Sequence, residues 1–325
     1  MNQNITEDEV KNYEELIEIG NEENKPDPDK LNKLLSHNKK FPKSLKKLKI
    51  GKLAISIILP LFFIFIIVYI LVKNVFGYGA KFQLIKVKNK QEIGKAAGDI
   101  IIEMLQKNSN SKITLSTGPL PKSIYKYLID QYQDKKISFI NTTFFNLDEY
   151  CGLHSDSKIS HFYYINDNLL DHIDTDEKKL NLINGFEDRG TCEEEAERYN
   201  GLLSQNEIDL NIISIEDDKN LGLNEPGTSF DSKTHIIKLS QQKKEELAEL
   251  FDYKMGDIPS YGISQGIDNI LKSKKILVVA SGKDKAEGVK NLIKGNADKD
   301  IPITALKNHL GDIYVVADEE ACSLI

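Results

Sequence analysis

Between Leu53 and Val72 the chain runs for twenty residues without a single charged side chain. A helix of that length crosses the hydrocarbon core of a bilayer. Pro60, inside the run, is tolerated in a membrane helix as a kink. A buried helix of a soluble domain would carry some polar face. A cleaved signal peptide is disfavoured because the run is long, begins late and has no small-residue cleavage site. The expected organisation is a tail at 1–52, a transmembrane helix at 53–72, a linker at 73–90 and a folded domain at 91–325.

Charge divides the tail. Residues 1–30 are strongly acidic and too poor in apolar side chains to build a core, so a disordered segment is expected there. Lys39, Lys40, Lys43, Lys46, Lys47, Lys49 and Lys52 then form a basic run. They outnumber Lys73, Lys81, Lys86, Lys88 and Lys90 beyond the span, which places the N-terminus in the cytoplasm and the large domain outside. The overall charge of −7 argues against a nucleic-acid partner. Cys151, Cys192 and Cys322 show neither metal-ligand spacing nor a disulfide framework, and nothing in the sequence calls for a metal or a cofactor.

From Gln91 onward, helical and strand-like patterns alternate. Helices are expected over Glu92–Lys107, out of the turn Thr117-Gly118-Pro119-Leu120-Pro121 through Tyr132, and over Glu193–Ser204, Gln241–Asp252 and Asp284–Lys294. Apolar runs at Ile113–Ser116, Ile137–Phe145, Ile208–Ile215, Ile236–Leu239, Ile276–Ala280 and Ile313–Ala317 read as strands. This alternation predicts an α/β domain, a doubly wound parallel sheet covered on both faces. Ligands of such sheets sit beyond the carboxyl ends of the strands.

Two acidic stretches follow strands. One is Phe144-Phe145-Asn146-Leu147-Asp148-Glu149-Tyr150-Cys151-Gly152-Leu153. The other is Asp218-Lys219-Asn220-Leu221-Gly222-Leu223-Asn224-Glu225-Pro226. Pro226 holds Glu225 out of the α region, so Asp218 and Glu225 share a loop. In order and spacing these stretches resemble the glucosamine-6-phosphate deaminase/isomerase family. The resemblance spans about Gln91 to Ile325. It implies a sugar-phosphate isomerase-like fold, a small sugar phosphate as ligand, and aldose–ketose isomerisation with loss of ammonia. Family members often form homo-oligomers. By the resemblance Asp148 takes the proton from C2 with Glu149 beside it, Asp218 and Glu225 flank the ring-opening group, and Thr117, Gly118 and Lys285 bind phosphate.

The match is incomplete where the chemistry is concentrated. At the family's histidine position stands Asn220, which forms hydrogen bonds but cannot shuttle a proton at neutral pH. The phosphate loop has Pro119 and Leu120 where the family has a glycine and a hydroxyl residue, and its arginine falls near Glu249. Two readings follow. One is a membrane-anchored deaminase/isomerase. The other is a non-catalytic relative, a membrane-tethered sensor or scaffold. His37, His154, His161, His172, His235 and His309 show no pairing motif and read as surface or packed side chains. An outward-facing domain conflicts with the cytoplasmic location of sugar phosphates, so the side of the membrane stays open.

Overall fold

The computed structural model describes residues 80–153, 156–185, 191–215 and 219–325. The tail, the expected span at 53–72 and the first part of the linker lie outside these residues. Among the described residues no helix is long and apolar enough to cross a membrane.

Among the described residues ten strands follow one another: β1 (Lys81–Val87), β2 (Lys112–Leu115), β3 (Thr143–Asn146), β4 (Asp148–Tyr150), β5 (Leu180–Asn181), β6 (Leu210–Ser214), β7 (His235–Lys238), β8 (Tyr261–Ser264), β9 (Lys275–Ala280) and β10 (Asp312–Asp318). The α-helices are α1 (Lys90–Lys107), α2 (Pro119–Gln133), α3 (His161–Asn168), α4 (Cys192–Gln205), α5 (Gln241–Phe251), α6 (Ile267–Leu271) and α7 (Ala286–Lys294). Seven strands pair in the order β1-β10-β9-β6-β2-β3-β5, every pair parallel.

The period of two along each central strand divides the core. In β9, Leu277 and Val279 join one apolar cluster with Ile93 and Ile101 of α1 and Ile124 of α2. Their neighbours Ile276, Val278 and Ala280 join another with Ile270 of α6 and Val289 and Leu292 of α7. Strands buried on both faces have to be apolar throughout, which is why the sequence shows continuous runs there.

A second, antiparallel sheet of order β4-β8-β7 departs from the expected single sheet. Asp148 pairs with Ser264, and Ile236 with Ile263. The run at Ile236–Leu239 therefore belongs to this small sheet, where its length alone could not assign it. Leu147 is the one residue between β3 and β4. Its N–H donates to Leu115 O of the large sheet at 2.9 Å, and its carbonyl accepts from Gln265 N, just past β8, at 2.9 Å. One residue thus transfers the chain from one sheet to the other.

Three further boundaries differ. Part of the expected linker is strand: β1 lies in register along β10, from Lys81 opposite Asp312 to Val87 opposite Asp318. Its exposed lysines and Gln83 fit an edge strand. The expected strand at Ile137–Phe145 shortens to β3, because Asp174 takes Phe139 N–H at 2.7 Å and Ser138 O–H at 2.5 Å and holds that part as a loop. The cysteines also correct the sequence reading, since Cys151 and Cys192 form a disulfide with Cα atoms 6.1 Å apart. It fastens the end of β4 to the first residue of α4. Cys322 is free and buried.

The disulfide closes a loop of 41 residues in the unfolded chain. Cys151→Ser, or reduction of the wild type, is expected to lower unfolding stability by about 2–4 kcal/mol. Urea denaturation with and without reductant checks this, and an unchanged midpoint contradicts it.

Candidate active site

A cavity of about 450 Å³ opens where the parallel strands end and the small sheet begins. Ser116 and Thr117, just past β2, line one side. Asp148 and Tyr150 of β4 line another with His161 of α3. Lys219, Asn220 and Glu225 come from the loop after β6, and Ser240, Gln242, Lys243 and Glu246 from the start of α5. The placement is the one expected of an open α/β sheet.

Adjacent residues of a strand point to opposite faces, and Asp148 and Glu149 separate accordingly. Asp148 lines the cavity, although only 6% of it is exposed. Glu149 is fully buried behind the wall, not in it. Its carboxyl oxygens accept from Tyr150 N (2.7 Å), Ser160 Oγ (2.9 Å), His161 N (2.9 Å) and Phe162 N (2.6 Å). The last two donors are N–H groups of the first turn of α3, which have no acceptor within the helix. Burial pushes the Glu149 carboxyl above its usual range, against the charge of His161 and the backbone donors.

That docking brings His161 to Asp148. Nδ1 of His161 lies 2.7 Å from Asp148 Oδ1 and 3.2 Å from Asp148 O. The ring packs edge-on against Tyr150, with centroids 4.7 Å apart. Burial alone would lower the imidazole pKa. The charge and hydrogen bond of Asp148, with the charge of Glu149, outweigh it and raise the value to about 9. His161 was expected to be a surface or packed residue, yet it lines the cavity. The only sequence signal was its place after the acidic stretch, twelve residues past Glu149, with no spacing rule to connect them.

The loop after β6 is held from beneath. Asn224 Nδ2 donates to Leu221 O (2.8 Å), Gln265 O (2.9 Å) and Ser264 Oγ (3.3 Å). Gln265 Nε2 and Tyr199 O–H both donate to Asn146 O, at 3.0 and 2.6 Å, and Asn146 Nδ2 donates to Asp148 O at 3.0 Å. A shared buried amide network therefore orients both acidic stretches. Gly222 passes close to the first stretch with φ +59°, where a Cβ would meet Leu147 Cδ2 at 3.0 Å and Asp148 Oδ2 at 3.1 Å. Asn220 and Glu225 line the cavity, while Asp218 lies outside the described residues.

On the phosphate-loop side, Gly118 adopts φ 111° and precedes α2, whose first three residues are Pro119, Leu120 and Pro121. Two of those three have no N–H. Thr117 lines the cavity; the Gly118 carbonyl accepts from Tyr164 O–H at 2.7 Å. The buried Ser116 Oγ has no hydrogen-bond partner among the described residues, although Ser116 lines the cavity. Lys285 is not in the cavity wall; its ammonium sits 2.8 Å from the Asp284 carboxylate.

Comparison with known proteins agrees with this geometry. The family profile described as glucosamine-6-phosphate isomerases/6-phosphogluconolactonase matches residues 88–221. Glucosamine-6-phosphate deaminase 1 of Bacillus subtilis (strain 168) is 36% identical over 243 residues, covering 74% of this chain and 99% of that protein. A glucosamine-6-phosphate deaminase of Streptococcus pneumoniae (strain 70585) is 38% identical over 243 residues, covering 75% and 99%. The solved structure of a monomeric glucosamine-6-phosphate deaminase superposes with a TM-score of 0.70 at 36% identity, covering 75% of this chain and all of that one. A 6-phosphogluconolactonase from Trypanosoma brucei shares the fold with a TM-score of 0.62 at 17% identity, covering 75% and 98%.

Two outcomes follow from the site's packing. His161 has a folded pKa of about 9, above the ordinary 6.5, so its stabilising contribution is complete below pH 6.5 and is lost as pH rises through 9. Its size is on the order of 3 kcal/mol. Unfolding free energies between pH 6 and 10 should show this fall in the wild type and a flatter curve in His161→Gln. Gly222→Ala should cost more than about 1 kcal/mol, because alanine is strained at positive φ and meets Leu147. A neutral effect in the same measurement contradicts that reading.

Proposed function

Because the chain belongs to the glucosamine-6-phosphate isomerase/6-phosphogluconolactonase family, we propose that it is a membrane-anchored glucosamine-6-phosphate deaminase, converting glucosamine 6-phosphate to fructose 6-phosphate and ammonia. The observation that carries the reading is Asp148, a carboxylate lining a cavity at the sheet's carboxyl edge, oriented by Asn146 and His161. A held, poorly solvated carboxylate is suited to removing the proton at C2 of an open-chain aldose. Between the two chemistries in the family name, deaminase relatives at 36–38% identity over almost their whole length support deamination.

Substrate contacts are assigned by position. Thr117 and Ser116 meet the ligand from the turn after β2, and Lys219 and Lys243, also in the cavity wall, supply positive charge. They stand in for donors that Pro119 and Leu120 do not provide. By the resemblance, Asp218 acts in ring opening together with Asn220 and Glu225, and the latter two line the cavity. Lys285, through the resemblance, is the remaining phosphate ligand, which requires it to leave Asp284.

The anchor rests on the uncharged run at 53–72 and the lysines before it. The Cys151–Cys192 disulfide supports the orientation with the domain outside, because such bonds persist in oxidising compartments. A second reading, a tethered sugar-phosphate sensor without turnover, is favoured by one observation, the two prolines in the first turn of α2 where a phosphate would take N–H groups.

Ammonia and fructose 6-phosphate release from glucosamine 6-phosphate by the full chain in detergent decides between them. Turnover is expected, with Asp148→Asn lowering kcat by about 10²-fold or more. Ligand-induced thermal stabilisation without turnover favours the sensor.

A further inference from the structure

Among the described residues the cavity wall contains a single imidazole, and it belongs to His161. Its Nδ1 faces Asp148 at 2.7 Å, and Nε2 makes no hydrogen bond among the described residues. A hexosamine phosphate rests mainly as a closed ring. Opening it breaks the bond from C1 to the ring oxygen, which needs a proton on that oxygen and loss of one from the C1 hydroxyl. A carboxylate alone is a poor proton donor at neutral pH. Asn220, in the same cavity, donates hydrogen bonds but carries no transferable proton.

We propose that His161, held in an ion pair by Asp148, is the acid–base catalyst that opens the sugar ring in this site. The proposal rests on the deaminase reading above. In the step, the imidazolium gives its Nε2 proton to the ring oxygen as the bond to C1 breaks. The C1 hydroxyl then returns its proton to Nε2, and the C1 carbonyl forms. Atoms and charge balance, and the pair is restored with Asp148 as the carboxylate needed for the proton at C2. One docking event, α3 seated on Glu149, therefore places the donor for the first step beside the base for the second.

The charges around the ring fit a protonated resting state. From β4, Asp148 and Glu149 face it, and Tyr150 packs on its edge. The N-terminus of α3, which would oppose an imidazolium, is covered by Glu149. Elsewhere in the wall, Lys243 lies 3.8 Å from the Glu246 carboxylate, and Lys219 and Glu225 also line the cavity. Against the effect of burial, Asp148 and Glu149 raise the imidazole pKa to about 9, so the donor stays loaded at neutral pH.

The test is the pH dependence of kcat for glucosamine 6-phosphate deamination by the full chain in detergent. Solvent-deuterium exchange into fructose 6-phosphate, whose ring opens without a catalyst, is measured beside it. In the wild type, kcat should fall above a pH of about 9. His161→Gln keeps a donor toward Asp148 but cannot carry the proton. It should lower deamination kcat by about 10²-fold, the usual size for one acid–base group, remove the alkaline limb, and leave KM and deuterium exchange within about threefold. Asp148→Asn should abolish both reactions. Retention of kcat and of the alkaline limb in His161→Gln overturns the assignment, as does an equal loss of deamination and exchange, which marks a structural role. Should His161→Gln not fold, the wild-type profile decides alone, and the absence of a limb near pH 9 overturns the proposal. No turnover in the wild type overturns the deaminase reading itself, an outcome distinct from turnover that survives without His161.

Discussion

The arrangement of the site depends on one buried carboxyl group. Glu149 lies in β4 with its side chain turned away from the cavity, and four donors converge on its two oxygens. Two of them are backbone N–H groups that a helix start leaves without acceptors. The cost of burying an acid and the cost of burying a helix end offset each other in one contact. Removing Glu149 leaves all four donors unmet, and α3 loses the anchor that fixes its direction. His161 is the first residue of that helix, so its distance from Asp148 is set by Glu149 and not by any contact of its own with the cavity. The acid with no access to ligand is thus the one that positions the acid with access.

A second level of support is polar and lies deeper. Asn146, Tyr199, Asn224 and Gln265 are all buried and tie the β3–β4 junction to the loop after β6. Buried amides cost free energy unless their bonds are made, and a network in which most are made tolerates only one geometry. Of the motif residues noted in the sequence, Asn146 and Asn224 therefore work behind the site. Asp148 and Glu225 line its cavity.

Much of the large sheet was legible because strands buried on both faces must be apolar along their whole length. Ile276–Ala280 and Ile313–Ala317 could be little else, and α1 and α2 carry the matching helical stripes. The small sheet was not legible. β4 is three residues long and consists of Asp148, Glu149 and Tyr150, a composition with no strand signal. β1 was hidden by lysines that an edge strand can leave in water. The acidic stretches and their common cavity could be read from motif order. The His161–Asp148 pair and the Cys151–Cys192 bond could not, since each depends on how α3 and α4 return to β4, and no local pattern encodes a return path. Lys285 shows the reverse case: a residue assigned by motif that in this structure pairs with its neighbour Asp284.

Leu147 offers a mechanical view of the same site. A single residue carries the chain from β3 of the parallel sheet to β4 of the antiparallel one, and the cavity opens beside that step. Ser116 and Thr117 belong to the parallel side. Ser240, Gln242 and Lys243 extend from the antiparallel side. A ligand touching both would bridge the two sheets, which the backbone also connects elsewhere, as between β8 and β9. The Cys151–Cys192 bond is a second brace near the same corner, fixed by covalent chemistry where the ligand's is reversible. Loading the site and oxidising the corner would then each add a tie beside the step from β3 to β4.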